Sequence, residues 1–149
     1  MIYISSDHRG FELKNFLVEK LEKNNIDIVD LGPKEINPED DYPDYAKLVA
    51  EKIQENPENM GILICANGVG ISIAANKFDG VRAALSWDPT HAESSRNDDG
   101  ANVLALPADY ITKEGALIIV QRWLTTNFSG EERHIRRLVK LASFEEHEK

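Results

Sequence analysis

The only cysteine of the chain, Cys65, closes an apolar run, Gly61-Ile62-Leu63-Ile64-Cys65. It stands just ahead of a glycine-spaced turn, Ala66-Asn67-Gly68-Val69-Gly70. A lone cysteine among apolar residues is ordinarily an inert, buried side chain. A cysteine at the end of a strand, beside free N–H donors and the start of a helix, has a different prospect. That setting predicts a lowered thiol pKa. A thiolate there can take a proton from a substrate carbon or attack as a nucleophile. Gly68 and Gly70 permit positive φ and close approach of a ligand. The N–H groups at the helix start, near Val69, can hold an anion or a developing oxyanion; the bland reading is a plain strand-to-helix turn. Two nucleotide-binding patterns are absent. Ile73 stands three residues after Gly70, where a dinucleotide fingerprint has Gly or Ala, and no P-loop lysine follows.

Three further groups carry chemical potential. Asp7-His8-Arg9-Gly10 follows the first β-prone run; it is either a turn that caps the next helix or a sugar-hydroxyl acceptor beside an anion-binding imidazole. Asn97-Asp98-Asp99-Gly100 precedes the last strand, so it needs a return loop to reach a site at the strand C-termini. Arg133, Arg136 and Arg137, with His134 among them, fall three to four residues apart on one helix face. They are either a solvated face paired with nearby glutamates or a phosphate clamp suited to guanidinium geometry. Metal binding is unsupported by spacing: His8, His91, His134 and His147 are scattered, with no His-x-x-x-His or Cys-x-x-Cys pair.

The elements that must position these residues alternate. Ile2-Tyr3-Ile4 reads as a strand, and Phe11, Leu13, Phe16, Leu17 and Leu21 recur at helical spacing. Ile26–Leu31 is a second strand, stopped by Gly32-Pro33, and 33–41 is a polar loop. Tyr42 to Gln54 is a helix with Tyr45, Leu48, Val49 and Ile53 on one face. Gly61–Cys65 has the continuous apolarity of a strand covered on both faces. A short helix runs from about Val69 to Lys77, and Arg82–Trp87 is a fourth strand. Asp88-Pro89 starts a helix as N-cap and first-turn proline. Asn102–Leu106 is a fifth strand, Thr112–Thr126 an apolar helix, and Glu131 to about Glu146 a final amphipathic helix. This β-α alternation predicts a five-stranded parallel sheet with helices on both faces and an extra C-terminal helix, with ligands beyond the strand C-termini. Residues 1–149 read as a single domain without repeat or linker.

The net charge of −9 disfavours a nucleic-acid partner. No apolar run approaches the roughly 20 residues of a membrane span, and the N-terminus lacks the pattern of a signal peptide. A cytoplasmic protein is therefore expected, in agreement with a single cysteine.

Read together, "SDHRGFELK" near the start, "DYPDYA" at 41–46, "GILICANGVGISIAANKFDGVRAAL" at 61–85, "ANVLAL" at 101–106 and "ERHIRRL" at 132–138 resemble type B ribose-5-phosphate isomerase. The same superfamily holds galactose-6-phosphate isomerases. The resemblance runs through nearly the whole chain. It implies a Rossmann-like sheet and an aldose–ketose isomerase acting on ribose 5-phosphate and ribulose 5-phosphate, without metal or nucleotide cofactor. It also implies a homodimer with active sites between subunits, open to further pairing into a tetramer. Cys65 matches the family's base, which moves a proton between C1 and C2 through an enediolate. Ala66, Asn67, Gly68, Val69 and Gly70 match its anion hole, Asp7 and His8 its sugar and phosphate contacts, and Tyr45 a pocket residue. Arg133 and Arg137 match phosphate-binding arginines, and His134 lies in the same motif. Two positions depart from the family. Ala66-Asn67-Gly68 replaces a small hydroxyl residue or Gly-Thr-Gly, and the Asn67 amide is a candidate donor to the enediolate. Asp98 replaces the histidine assigned to opening the furanose ring. Ring opening then falls to Asp98 or to His91, or the preferred substrate is another sugar phosphate, for example a six-carbon one. A non-catalytic sugar-phosphate binding module is the remaining alternative.

Overall fold

The computed structural model describes residues 1–145. Five strands form one parallel sheet: β1 (Ile2–Ser6), β2 (Ile28–Asp30), β3 (Met60–Cys65), β4 (Ala83–Leu85) and β5 (Val103–Pro107). Their order across the sheet is β2-β1-β3-β5-β4. The helices are α1 (Phe11–Lys23), α2 (Tyr42–Glu55), α3 (Val69–Ala75), α4 (Pro89–Asn97), α5 (Lys113–Leu124) and α6 (Glu132–Ser143). The expected α/β architecture is present, with strand boundaries moved by up to two residues. His147 and the end expected for the last helix at Glu146 lie outside the described residues. Among the described residues no helix is long and apolar enough to cross a membrane.

The period-two alternation of the central strands divides the interior into two layers. Ile4, Ile62, Ile64, Leu104 and Leu106 face α1 and α5, where Leu13, Leu17, Leu21, Ile119, Val120 and Trp123 meet them. Leu63, Cys65, Val103 and Ala105 face the other way, towards Ala46, Val49, Ala50 and Ile53 of α2 and Ile71 and Ala75 of α3. Strands β3 and β5 are buried from Gly61 and Val103 onward, as continuous apolarity requires when both faces are covered. The edge strands β2 and β4 are short and only half-buried, which limits unwanted edge pairing.

One expected helix face is corrected. Helix α2 buries Ala46, Val49, Ala50 and Ile53, whereas Leu48 is 41% exposed. The i, i+3, i+4, i+7 stripe of small and β-branched residues lets α2 lie close to the sheet and turns Leu48 outward. The approach is tight: a Cβ on Gly61 would fall 2.4 Å from Val49 Cγ1. The Asp88 N-cap forms as expected, its carboxylate accepting from His91 N at 3.0 Å, and Thr112 caps α5 in the same way. Helix α6 is the outlier. His134 is its only buried residue, and Ile135, Val139 and Leu141 are exposed.

Candidate active site

Strands β1 and β3 end side by side, and their last residues bring Asp7 and Cys65 together. Asp7 N donates to Ile64 O at 3.3 Å. The buried Asp7 carboxylate caps a short 3-10 turn, His8–Gly10, accepting from Arg9 N at 3.0 Å and Gly10 N at 3.2 Å. Burial raises the Asp7 pKa; those two N–H groups and His8 oppose the rise, and Asp40 adds to it.

Cys65 is 4% exposed and faces the α2–α3 layer. Its Sγ accepts from Gly68 N at 3.2 Å and lies 3.7 Å from Asn67 Oδ1. The lowered thiol pKa expected from the helix start is not found. Burial pushes the thiol up, and the Asp7 charge adds to that. The N–H groups of Ile71, Gly68 and Asn67 pull the other way without reversing it. The turn is therefore wrapped around sulfur, and its N–H groups are placed to steady a thiolate once one forms.

Within the turn, Gly68 alone adopts positive φ, at 72°, and a Cβ there would meet Leu85 at 2.4 Å. Gly70 is not in the left-handed region. Its hydrogen is needed for a different reason, because a Cβ would run into the Tyr42 ring at 2.6 Å. Asn67 uses its oxygen, not its amide, inside the turn: Oδ1 accepts from Val69 N at 2.9 Å. Cys65 O and Ala66 O accept from Ala108 N and Asp109 N, both at 2.9 Å, which pins the turn to the segment after β5.

His8, Tyr45 and Asp40 complete this edge. His8 Nδ1 is 2.5 Å from Asp40 Oδ1, and His8 N donates to the same oxygen at 3.1 Å. The Tyr45 phenol is pushed up by desolvation and by the neighbouring Asp40 carboxylate. Asp40 was not singled out in the sequence, because the loop that carries it has no periodicity; its place just before "DYPDYA" was the one available signal. Asp7, His8 and Asp40 are also the one group of potential metal ligands among the described residues. The 2.5 Å contact between His8 and Asp40 is a hydrogen bond, and an ion between those two atoms would need more room. Beside the turn, Asn67, Val69, Trp87, Pro107 and Tyr110 line a cleft. Trp87 is 61% exposed and stacks on His91, with ring centroids 5.8 Å apart. His91 Nδ1 also contacts Ser86 Oγ at 2.9 Å. His91 thus sits at the same edge of the sheet as Cys65.

The remaining candidate residues lie at the opposite end of the strands. Cys65 pairs with Pro107 at the end of β5, whereas Asp98 precedes the start of that strand at Val103. Four strand steps of about 3.3 Å already separate the two ends by roughly 13 Å. The return loop required of Asn97-Asp98-Asp99-Gly100 does not exist: Gly100 is held beside Arg82, ahead of β4, by an Arg82 Nε bond to Gly100 O of 2.9 Å. Asp98 instead faces His134, whose Nε2 is 4.0 Å from Asp98 Oδ1. The buried His134 ring is fixed by Ser129 Oγ, 2.6 Å from Nδ1. Arg133 pairs with Glu131, and Arg137 is exposed. One chain therefore presents two candidate half-sites. One holds Asp7, His8, Tyr45 and Cys65 with its turn; the other holds Asp98, Arg133, His134 and Arg137.

Comparison with known proteins gives this arrangement a family. The sequence profile of the ribose/galactose isomerases matches residues 2–141. The chain belongs to the ribose/galactose isomerase family. It is 46% identical to a Mycoplasma pneumoniae protein named as probable ribose-5-phosphate isomerase B, over 97% of this chain and 94% of that one. Among solved structures of the family, the Mycoplasma genitalium ribose-5-phosphate isomerase B with bound ribulose-5-phosphate superposes with a TM-score of 0.93. It is 44% identical, with 97% of this chain and 95% of that chain covered. The Thermotoga maritima ribose 5-phosphate isomerase gives a TM-score of 0.91 at 43% identity, with 95% and 97% covered. The shared fold accounts for the strand order.

Proposed function

We propose that the protein is an aldose–ketose isomerase that interconverts ribose 5-phosphate and ribulose 5-phosphate. The observation that carries this reading is Cys65, the sole cysteine, at the end of β3 inside a turn whose N–H groups surround its sulfur. The Mycoplasma genitalium relative bound to ribulose-5-phosphate supports the substrate class.

In this mechanism the open-chain aldose lies over Cys65. The Cys65 thiolate takes the proton from C2, electrons move to the carbonyl oxygen, and an enediolate forms. The proton of the 2-hydroxyl passes to O1 by way of solvent, the thiol returns its proton to C1, and the C2–O bond is left as the ketone. The Asn67 side-chain amide, its oxygen held by Val69 N, keeps its nitrogen as a donor to the developing oxyanion. Asp7, His8 and Tyr45 hold hydroxyls. Ring opening is assigned to His91, which shares an edge with Cys65, or to Asp98 delivered by a second copy.

The phosphate clamp requires that second copy. Arg133 and Arg137 stand at the wrong edge of their own sheet to reach a ligand on Cys65. A homodimer that sets the α6 edge of one subunit over the β3 edge of the other unites the two half-sites. The exposed apolar residues Ile135 and Val139 give α6 a surface to bury in such an assembly. The isomerase then consists of one such domain per subunit, and it acts in the cytoplasm.

A substrate panel tests the reading. Initial rates are compared for five- and six-carbon aldose phosphates and their ketoses, in deuterated water. The expected outcome is highest kcat/KM on the ribose 5-phosphate pair, with deuterium entering at C1 or C2. A six-carbon phosphate turned over best would reassign the substrate, the possibility that Asp98 raises. Binding without deuterium entry would make the protein a binding module.

A further inference from the structure

We propose that Asp40 is a positioning residue for His8, holding its Nδ1–H so that Nε2 is the atom presented to the sugar phosphate; this rests on the isomerase reading above. The geometry around Asp40 is specific. Its side chain is 5% exposed although it comes from a surface loop. One oxygen, Oδ1, engages His8 twice, from the backbone N–H at 3.1 Å and from Nδ1 at 2.5 Å. That double contact fixes both the place of the residue and the rotation of its ring. A carboxylate only accepts hydrogen bonds when ionised, so the nitrogen beside it must carry the proton.

The consequence falls on the opposite ring nitrogen. Nε2 makes no hydrogen bond or ion pair with any described residue, and the His8 side chain is 24% exposed. With Nδ1 protonated, Nε2 is the free acceptor of a neutral imidazole, suited to a sugar hydroxyl. It becomes a donor to phosphate when the ring is charged. In either state the direction of Nε2 is set by Asp40. The same carboxylate is the hydrogen-bonding and charged neighbour of the Tyr45 phenol. Asp40 therefore joins two residues expected to contact the ligand, and its own partners are His8 and Tyr45, not Cys65. Such buried partners of an imidazole govern its tautomer and orientation in other active sites.

The experiment combines kinetics with nitrogen NMR of histidine-labelled protein. In the unliganded wild-type enzyme the His8 Nδ1 signal should be that of a protonated nitrogen. Asp40→Ala should release that preference and raise KM for ribose 5-phosphate about tenfold, the scale of one lost hydrogen bond to a charged group, while kcat changes by less than about threefold. Asp40→Asn, whose amide oxygen still accepts, should restore most of the affinity. A bare Nδ1 in the wild-type spectrum would overturn the proposal, whether or not either variant folds. So would an Asp40→Ala enzyme with unchanged KM, or one in which kcat alone falls. The NMR readout needs no substrate. Absence of isomerase activity in the wild type would strike the functional reading and leave the Asp40–His8 pairing measurable on its own.

Discussion

Cys65 is pulled in two directions by its own surroundings. Burial and the Asp7 carboxylate hold it as a thiol, and three backbone N–H groups favour the thiolate. The balance lies with the thiol, above its ordinary 9.0. A raised pKa means that the thiolate fraction grows as pH rises and is still growing at mildly alkaline pH. Because Cys65 is the only cysteine, its labelling by iodoacetamide reports it alone. The rate should climb with pH past 9; a plateau below pH 8 would show a depressed thiol instead. Cys65→Ala should lower kcat by about 10²–10⁴-fold, the contribution usual for a positioned base, with the circular dichroism spectrum retained. Full turnover in that variant would remove Cys65 from the mechanism. The sequence located this residue but not its titration. The helix-start argument was sound as a direction, yet only the three-dimensional burial of sulfur could decide which effect is larger.

Helices and strands set how far each side chain reaches. Helix α2 carries Tyr45 to the candidate site and is anchored by the buried Val49 and Ile53 in the layer where it packs on β1 and β3. Ile53→Ala should cost about 2–5 kcal/mol in denaturant unfolding. Leu48→Ala, on the exposed side, should cost about 0.5 kcal/mol or less. Similar losses for the two would contradict the assigned face. The sequence placed Leu48 with Val49 because residue type alone cannot tell which edge of an apolar stripe meets the sheet. Strand β3 was legible for the opposite reason: a run buried on both faces has no polar position to misassign. Asp40 was invisible for want of any pattern, since a loop side chain acquires meaning only from what the fold sets beside it.

At the scale of the whole molecule, the half-sites at opposite edges of the sheet make a strong prediction. Cys65→Ala and Arg137→Ala homodimers should each be nearly inactive. Mixing them under conditions of subunit exchange should restore roughly a quarter of wild-type activity, because half the dimers then carry one intact site. No recovery, with exchange verified, would show that Cys65 and Arg137 do not act across subunits. The same geometry separates the two candidates for ring opening: His91 lies at the Cys65 end of its own sheet, and Asp98 at the other end.

By itself the sequence determined the alternating α/β architecture, the buried central strands, the Asp88 cap and the residues able to do chemistry. These follow from periodicity, from local backbone preferences and from the resemblance carried by its motifs. Tertiary structure decided what depends on distance across the chain. It raised the thiol pKa by burying sulfur, joined Asp40 to His8 over 32 residues of sequence, and set the candidate residues at opposite ends of the strands. A parallel strand has a direction, and residues before and after it face opposite ends of the molecule; motif order along the chain does not encode which of those ends must meet.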